Sequence, residues 1–178
     1  MTTTLEAVDA LCAFLGFAKP RTRAVARALT DAGVLPAGGP GRSPEIKPEH
    51  LVSLLIGVAV DAPLRAVADA VRNYRELAPG GANLDGAPES IIRTAGEAID
   101  VQAHLALGGD ADLFRRDKLE IVSSWQEIAL HDASAGKIVR FVPVGADASR
   151  WQASGHRRST IINGAAFNDA VRSLFGGK

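Results

Sequence analysis

The chain has 178 residues with 20 acidic and 20 basic side chains, so its formal net charge is zero. Hydrophobic residues make up 47% of it and charged residues 22%, a balance that predicts a globular protein with a real core and excludes a largely disordered chain. The single cysteine, Cys12, excludes an intramolecular disulfide, and neither a signal peptide nor a membrane-spanning run is evident. We therefore expect a soluble, cytoplasmic protein that makes no contact with membranes.

Charge is distributed unevenly along the chain. Residues 19–47 are basic, residues 85–132 are acidic, and the chain is basic again from residue 137 onward. A basic segment can contact a polyanion, but segments of opposite sign can also pair between subunits. Charge alone leaves both possibilities open.

Five helices are predicted in the first 107 residues, and prolines mark most of their starts. A proline suits the first turn of a helix because its missing N–H costs nothing there. The first helix ends at Gly16 and the second at Gly33, whereas Asp61 is expected to cap the fourth and Gly108 to end the fifth. The prolines that precede helical periodicity are Pro20, Pro48, Pro63 and Pro88.

The pattern changes to a two-residue repeat in the last third of the chain. The stretches KLEIVSSW (118–125) and KIVRFVP (137–143) predict two extended arms of a hairpin, with DASAG (132–136) as its loop. RRSTII (157–162) predicts a further strand, and a short helix should follow it. The predicted fold class is α+β, with a helical N-terminal part, a small antiparallel β-region and a C-terminal helix.

Three segments follow from this organisation. Residues 1–78 form the helical region, residues 79–109 a connecting loop and helix, and residues 110–178 a small β-rich region with its terminal helix. Element boundaries are expected to shift by a few residues.

The stretch LCAFLGFAKPRTRAVARALTDAGVLP (11–36) resembles a helix-turn-helix of the bacterial and bacteriophage type. Gly16 would lie in the turn, and Val25 and Leu29 would take the buried positions of the second helix. In that motif the second helix lies in the DNA major groove, with its N-terminal side chains at the base edges. The resemblance covers only the N-terminal part of the chain, and it implies contact with double-stranded DNA.

Most of the candidate DNA-binding residues lie on the second helix, where they are expected to point outward. Arginine can bind guanine or phosphate, and a threonine can contact a thymine methyl group or a phosphate. An ordinary amphipathic helix with a solvated arginine face would have the same pattern. The loop AGGPGRSPEIK (37–47) either contacts the DNA backbone or only links two helices. The candidates are Lys19, Arg21, Thr22, Arg23, Arg27, Arg42 and Lys47.

Neither an active site nor a cofactor or metal site is predicted. The four histidines are scattered, without the spacing of a metal-binding motif. The stretch SAGK (134–137) is better explained as the hairpin turn than as a nucleophile motif. Near the C-terminus, Arg150, Trp151, Arg157 and Arg158 could bind nucleic acid, but we favour pairing of these arginines with the acidic middle segment.

The sequence therefore predicts a non-enzymatic DNA-binding protein that acts as a homo-oligomer, because one short helix reads few bases. Its layout resembles that of small bacterial and bacteriophage proteins, which include transcriptional regulators and ring-forming small terminase subunits. A transcriptional regulator is the first expectation and a DNA-packaging recognition subunit the second. A protein-interaction adaptor or anti-activator without DNA contact is the alternative from another class.

Overall fold

The computed structural model describes residues 2–39, 44–108, 112–146 and 155–177, and the predicted α+β class is confirmed within these ranges. The helices are α1 (Thr4–Leu15), α2 (Lys19–Asp31), α3 (Pro48–Ala59), α4 (Val67–Arg75), α5 (Ala95–Leu107) and α6 (Gly164–Phe175), and a 3-10 turn spans Leu64–Ala66. The strands are β1 (Ala78–Pro79), β2 (Lys118–Val122), β3 (Glu127–Asp132), β4 (Lys137–Val142) and β5 (Ser159–Asn163).

Local signals set both ends of α1, and its predicted end at Gly16 is confirmed. The Thr3 hydroxyl accepts a hydrogen bond from the Glu6 N–H, and the Glu6 carboxylate accepts one from the Thr3 N–H, which together form a capping box. At the other end Gly16 has a φ of 75°, a left-handed conformation that glycine adopts without steric cost. The chain therefore turns sharply into α2.

Two predicted helix starts are wrong. Asp61 has a backbone φ of 55° and does not cap a helix, and the next helical turn begins only at Leu64. The fifth helix begins at Ala95 rather than after Pro88, because the Thr94 hydroxyl accepts a hydrogen bond from the Glu97 N–H and so caps the first turn there. A threonine followed by glutamate three residues later predicts this helix start, whereas Pro88 predicts a start that is too early.

The five strands form one antiparallel sheet in the order β1-β4-β3-β2-β5. The DASAG turn is confirmed, and the Asp132 carboxylate accepts hydrogen bonds from the N–H groups of Ser134 and Ala135 within it. The predicted first arm of that hairpin is wrong, since β3 and not the KLEIVSSW strand precedes the turn. That stretch forms β2, which pairs with β3 on one side and β5 on the other.

One hydrophobic cluster runs through all three predicted segments of the chain. The sheet contributes residues that include Leu119, Ile121, Ile128 and Phe141, and α3 contributes a helix that is buried from Leu51 to Ala59, as expected. Helix α1 packs against both α2 and α6. The two ends of the chain meet where the Thr2 hydroxyl donates a hydrogen bond to the Leu174 carbonyl, at 2.7 Å. The position of α2 thus depends on both halves of the chain.

Candidate nucleic-acid interface

Helix α2 is held in place by its inner face. Val25 and Leu29 are fully buried. They pack against Gly57 of α3, where an added Cβ would lie 3.1 Å from Val25 Cγ1 and 3.2 Å from Leu29 Cδ1. The absence of a side chain at Gly57 therefore lets the two helices approach closely, and this fixes which face of α2 points outward.

Thr22 belongs to the inner face, so its predicted exposure is wrong. Its side chain is fully buried and its hydroxyl donates a hydrogen bond to the Ala18 carbonyl, at 3.0 Å. Residues 22, 25 and 29 recur at the three- and four-residue spacing that places them on one helix face. The sequence already contained this signal, and Thr22 could contact DNA only if α2 were displaced from the core.

Arg23 and Arg27 occupy the outer face of α2, one helical turn apart. Both are exposed, and neither forms a hydrogen bond or an ion pair with any residue that the structure describes. A solvated guanidinium with no internal partner keeps all five N–H donors available for a ligand. These two residues match the prediction for an outward-facing pair.

Two shallow grooves flank this pair of arginines. The first has a volume of about 440 Å³, and Leu64 forms its far wall. The second has a volume of about 360 Å³ and is bounded by α1 and by the prolines Pro36 and Pro44. Asp31 contributes to both grooves and places one negative charge at the C-terminal end of α2.

Lys19 and Arg21, also predicted as DNA ligands, are engaged with neighbouring residues. The Lys19 Nζ lies 2.7 Å from a carboxylate oxygen of Asp9, with about half of each side chain exposed. The Arg21 guanidinium donates a hydrogen bond to the Ala62 carbonyl and lies 3.7 Å from Asp61. Exposed ion pairs of this kind contribute little to stability, about 0–1 kcal/mol, so Lys19 could exchange Asp9 for a phosphate at small cost.

Of the two candidate DNA-binding residues in the loop, Arg42 and Lys47, the structure describes only Lys47. Arg42 lies outside the described residues. Lys47 is exposed directly ahead of α3, and its backbone N–H donates a hydrogen bond to His50 Nδ1. Pro44, three residues earlier, borders the same groove as Arg23 and Arg27. The described part of this loop therefore adjoins the outer face of α2 through Pro44, whereas no contact within the described ranges places Lys47 itself on that face.

The sequence reasoning missed one basic residue near this face. Arg65 is exposed, and it has no hydrogen-bond or ion-pair partner among the described residues. It follows Leu64, which lines the groove with Arg23 and Arg27. Only the tertiary contact between the 3-10 turn and α2 reveals this proximity, because nothing in the local sequence relates residue 65 to residue 23.

A cluster of charged side chains lies on the sheet, away from α2. Glu127 is fully buried and forms ion pairs with Arg140 and Arg157, and its carboxylate also accepts a hydrogen bond from the Trp125 indole. Arg157 also pairs with Glu120 at 2.9 Å. The expected pairing of Arg157 with the acidic middle segment is thus confirmed, while Arg150 and Trp151 lie outside the described residues.

The electrostatics of this cluster are those of a compensated ion network. Burial alone would raise the pKa of Glu120, but hydrogen bonds from Arg157, Ser159 and His131 outweigh it and lower the pKa to about 2. Burial and the charge of Glu127 raise the pKa of the Tyr74 phenol to about 12. Glu120 and Glu127 each face a guanidinium, so the cluster links neighbouring strands of the sheet.

Two of the four histidines, His104 and His131, pair with carboxylates at separate points of the structure. His104 Nε2 lies 2.7 Å from Glu49, and His131 Nε2 lies 3.0 Å from Glu120. Over the described ranges, no group of three or more histidine, cysteine, aspartate or glutamate side chains is arranged to hold a metal ion. In the same ranges, none of the helices has the length and apolar character needed to cross a membrane.

Comparison with known proteins adds nothing to this picture, since no protein family, curated protein or solved structure matches the chain.

Proposed function

We propose that this protein binds double-stranded DNA through the outer face of α2, with Arg23 and Arg27 as the principal contacts. The observation that carries the proposal is a pair of exposed guanidiniums, without a partner among the described residues, one turn apart on a helix that follows a short glycine turn. Arginine binds guanine O6 and N7 or phosphate in a bidentate manner, so two arginines one turn apart can contact neighbouring positions along a groove.

Lys19 and Arg65 extend this surface on either side. Lys19 begins α2, and Arg65 follows the residue that walls the adjacent groove. Basic residues around a recognition helix generally bind phosphates and set the orientation of the protein on the duplex. We assign Lys19 and Arg65 that positioning role and Arg23 and Arg27 the central one.

Within this proposal a transcriptional regulator is the first choice, and a DNA-packaging recognition subunit is the second. Both roles use the same face, and they differ in assembly. A dimer places two copies of α2 on a two-fold symmetric site, whereas a ring of many subunits serves packaging. The mass of the native assembly in solution, measured by light scattering with and without DNA, distinguishes the two.

The test of DNA binding is fluorescence anisotropy with a pool of labelled duplexes, repeated over a range of salt concentrations. Because each phosphate contact adds about 0.9 to the slope of log affinity against log salt, we expect a steep loss of affinity with salt. Arg23→Ala and Arg27→Ala should each weaken binding about tenfold, in keeping with ~1–3 kcal/mol for a specific arginine contact.

Arg116→Ala is the matched control. Arg116 is exposed and, like Arg23 and Arg27, has no partner among the described residues, but it lies just before β2 and not on α2. Its replacement should leave the affinity unchanged. Absence of any binding at low salt would refute the proposal and favour the adaptor that binds an acidic protein, and equal losses in all three variants would show that only total charge matters.

A further inference from the structure

A third groove lies beside the start of α2 and connects it to the C-terminal part of the chain. Its volume is about 270 Å³, slightly below the roughly 300–1,000 Å³ typical of pockets for whole small molecules. Its walls come from the start of α2, the end of α3, the turn after β2 and the first residues of β5. The charged residues among them are Arg21, Asp61 and Arg158.

The backbone of Arg158 is fixed on both sides by the turn after β2. Its N–H donates a hydrogen bond to the Ser124 hydroxyl at 3.0 Å, and its carbonyl accepts hydrogen bonds from the N–H and the hydroxyl of Ser123, at 2.8 and 3.3 Å. Two residues later the Thr160 hydroxyl donates a hydrogen bond to the Ala59 carbonyl, which ties β5 to the end of α3. The side chain of Arg158 is nevertheless 65% exposed, so a backbone held by these hydrogen bonds presents a solvated cation at the groove.

Asp61 lies close to both arginines without forming a hydrogen bond to either. Its carboxylate oxygens lie 3.7 Å from Arg21 and 3.6 Å from Arg158, beyond hydrogen-bond length in both cases. One carboxylate that is 60% exposed stands against two guanidiniums, so the groove keeps a net positive charge. Exposed pairs at such separations are weak, and an anion with more than one oxygen can replace Asp61 as the partner.

Resting on the proposed function, we infer that this groove binds a backbone phosphate of the DNA, with Arg158 as the main ligand and Arg21 as the second. The groove lies at the N-terminal end of α2, which is the end that reaches the base edges when such a helix enters the major groove. A phosphate there would connect the C-terminal β-region to the DNA and set the angle at which α2 enters.

Asp61 is then a local competitor for the same cations. It lowers the affinity of the groove for phosphate, and a neutral residue at this position should raise it. Asparagine is the suitable replacement, because it is nearly isosteric and tolerates the left-handed backbone conformation of Asp61, whose φ is 55°. The effect of Asp61 on DNA affinity is therefore opposite in sign to the effect of Arg158.

The experiment measures DNA affinity against salt for Arg158→Gln and Asp61→Asn, with Arg116→Gln as the control and circular dichroism to confirm folding. Arg158→Gln should weaken binding severalfold and reduce the salt slope by about 0.9, the contribution of one phosphate contact. Asp61→Asn should strengthen binding about fivefold, as expected when a unit charge about 4 Å from a phosphate is removed in water. Arg116→Gln should change neither quantity.

The outcomes separate this inference from the proposed function. If the Arg23 and Arg27 variants lose affinity while Arg158→Gln and Asp61→Asn match the wild type, the groove does not hold a phosphate of the DNA and DNA binding by α2 still stands. If the wild type binds no DNA at all, both fail. If inorganic phosphate at constant ionic strength stabilises the wild type but not Arg158→Gln, and neither variant alters DNA affinity, the groove binds a free anion and the DNA assignment is overturned.

Discussion

Replacing Glu120 by glutamine should remove stability that is present at neutral pH and absent in strong acid. The carboxylate is 9% exposed and accepts hydrogen bonds from Arg157 and His131, and its pKa is lowered from the ordinary 4.5 to about 2. A depressed carboxylate pKa stabilises the fold above the unfolded-state pKa, and this stabilisation is lost as the pH falls through the folded-state value. At ~1.4 kcal/mol for each pKa unit, the ionised Glu120 contributes about 3 kcal/mol at neutral pH.

Urea denaturation of the wild type and Glu120→Gln, repeated at several pH values, tests this reasoning. The difference in free energy of unfolding should be about 3 kcal/mol above pH 4.5 and should shrink steadily toward pH 2, because protonation then removes the same charge from the wild type. Glu89→Gln is the control, since Glu89 is exposed and has no partner among the described residues. A difference for Glu120→Gln that stays constant with pH would refute an ionic origin.

Two further predictions concern packing and burial. Gly164→Ala should destabilise the protein by about 3 kcal/mol in urea denaturation, because the added Cβ would lie 1.9 Å from the Phe114 carbonyl oxygen. Gly108→Ala is the control and should be nearly neutral, because the atom nearest to its added Cβ lies 3.7 Å away. Equal effects of the two substitutions would contradict the packing argument. Tyr74 is the only tyrosine, so tyrosinate absorbance reports on it alone. Its titration midpoint should be about 12 in the folded protein and ~10 in urea, and a folded-state midpoint near ~10 would mean that the phenol is not held in the buried position described.

The elements that the sequence predicts well are those whose signals lie within a few residues. Gly16 ends α1, and the apolar run from Leu51 to Ala59 forms a fully buried helix, because spacing and composition alone decide both features. The errors arise where two local signals compete. Pro88 predicts a helix start, whereas the helix begins after the cap at Thr94, and the apolar spacing of KLEIVSSW does not reveal the turn that follows β2.

The residues of the candidate site likewise fall into those whose position follows from local spacing and those whose position depends on the tertiary fold. The exposed positions of Arg23 and Arg27 follow from the helical period once Val25 and Leu29 are assigned to the core. The same period places Thr22 on the buried face of the helix, so the burial of Thr22 could also be predicted from the sequence. The proximity of Arg65 and the pairing of Asp61 with Arg158 could not be predicted, since they join residues that only the tertiary fold brings together.

The dependence of α2 on the rest of the chain has a consequence for how the protein would respond to DNA. The inner face of α2 packs against α3, whose last residues are tied to β5 through Thr160, and α1 packs against α6. Through α3 and α1, the sheet and the C-terminal helix would therefore help to hold α2 in place when DNA binds. Because the core is continuous, residues 1–78 without the sheet and α6 would expose the apolar faces that α1 and α3 bury against them. We therefore expect the surface that presents Arg23 and Arg27 to keep its geometry only in the full chain.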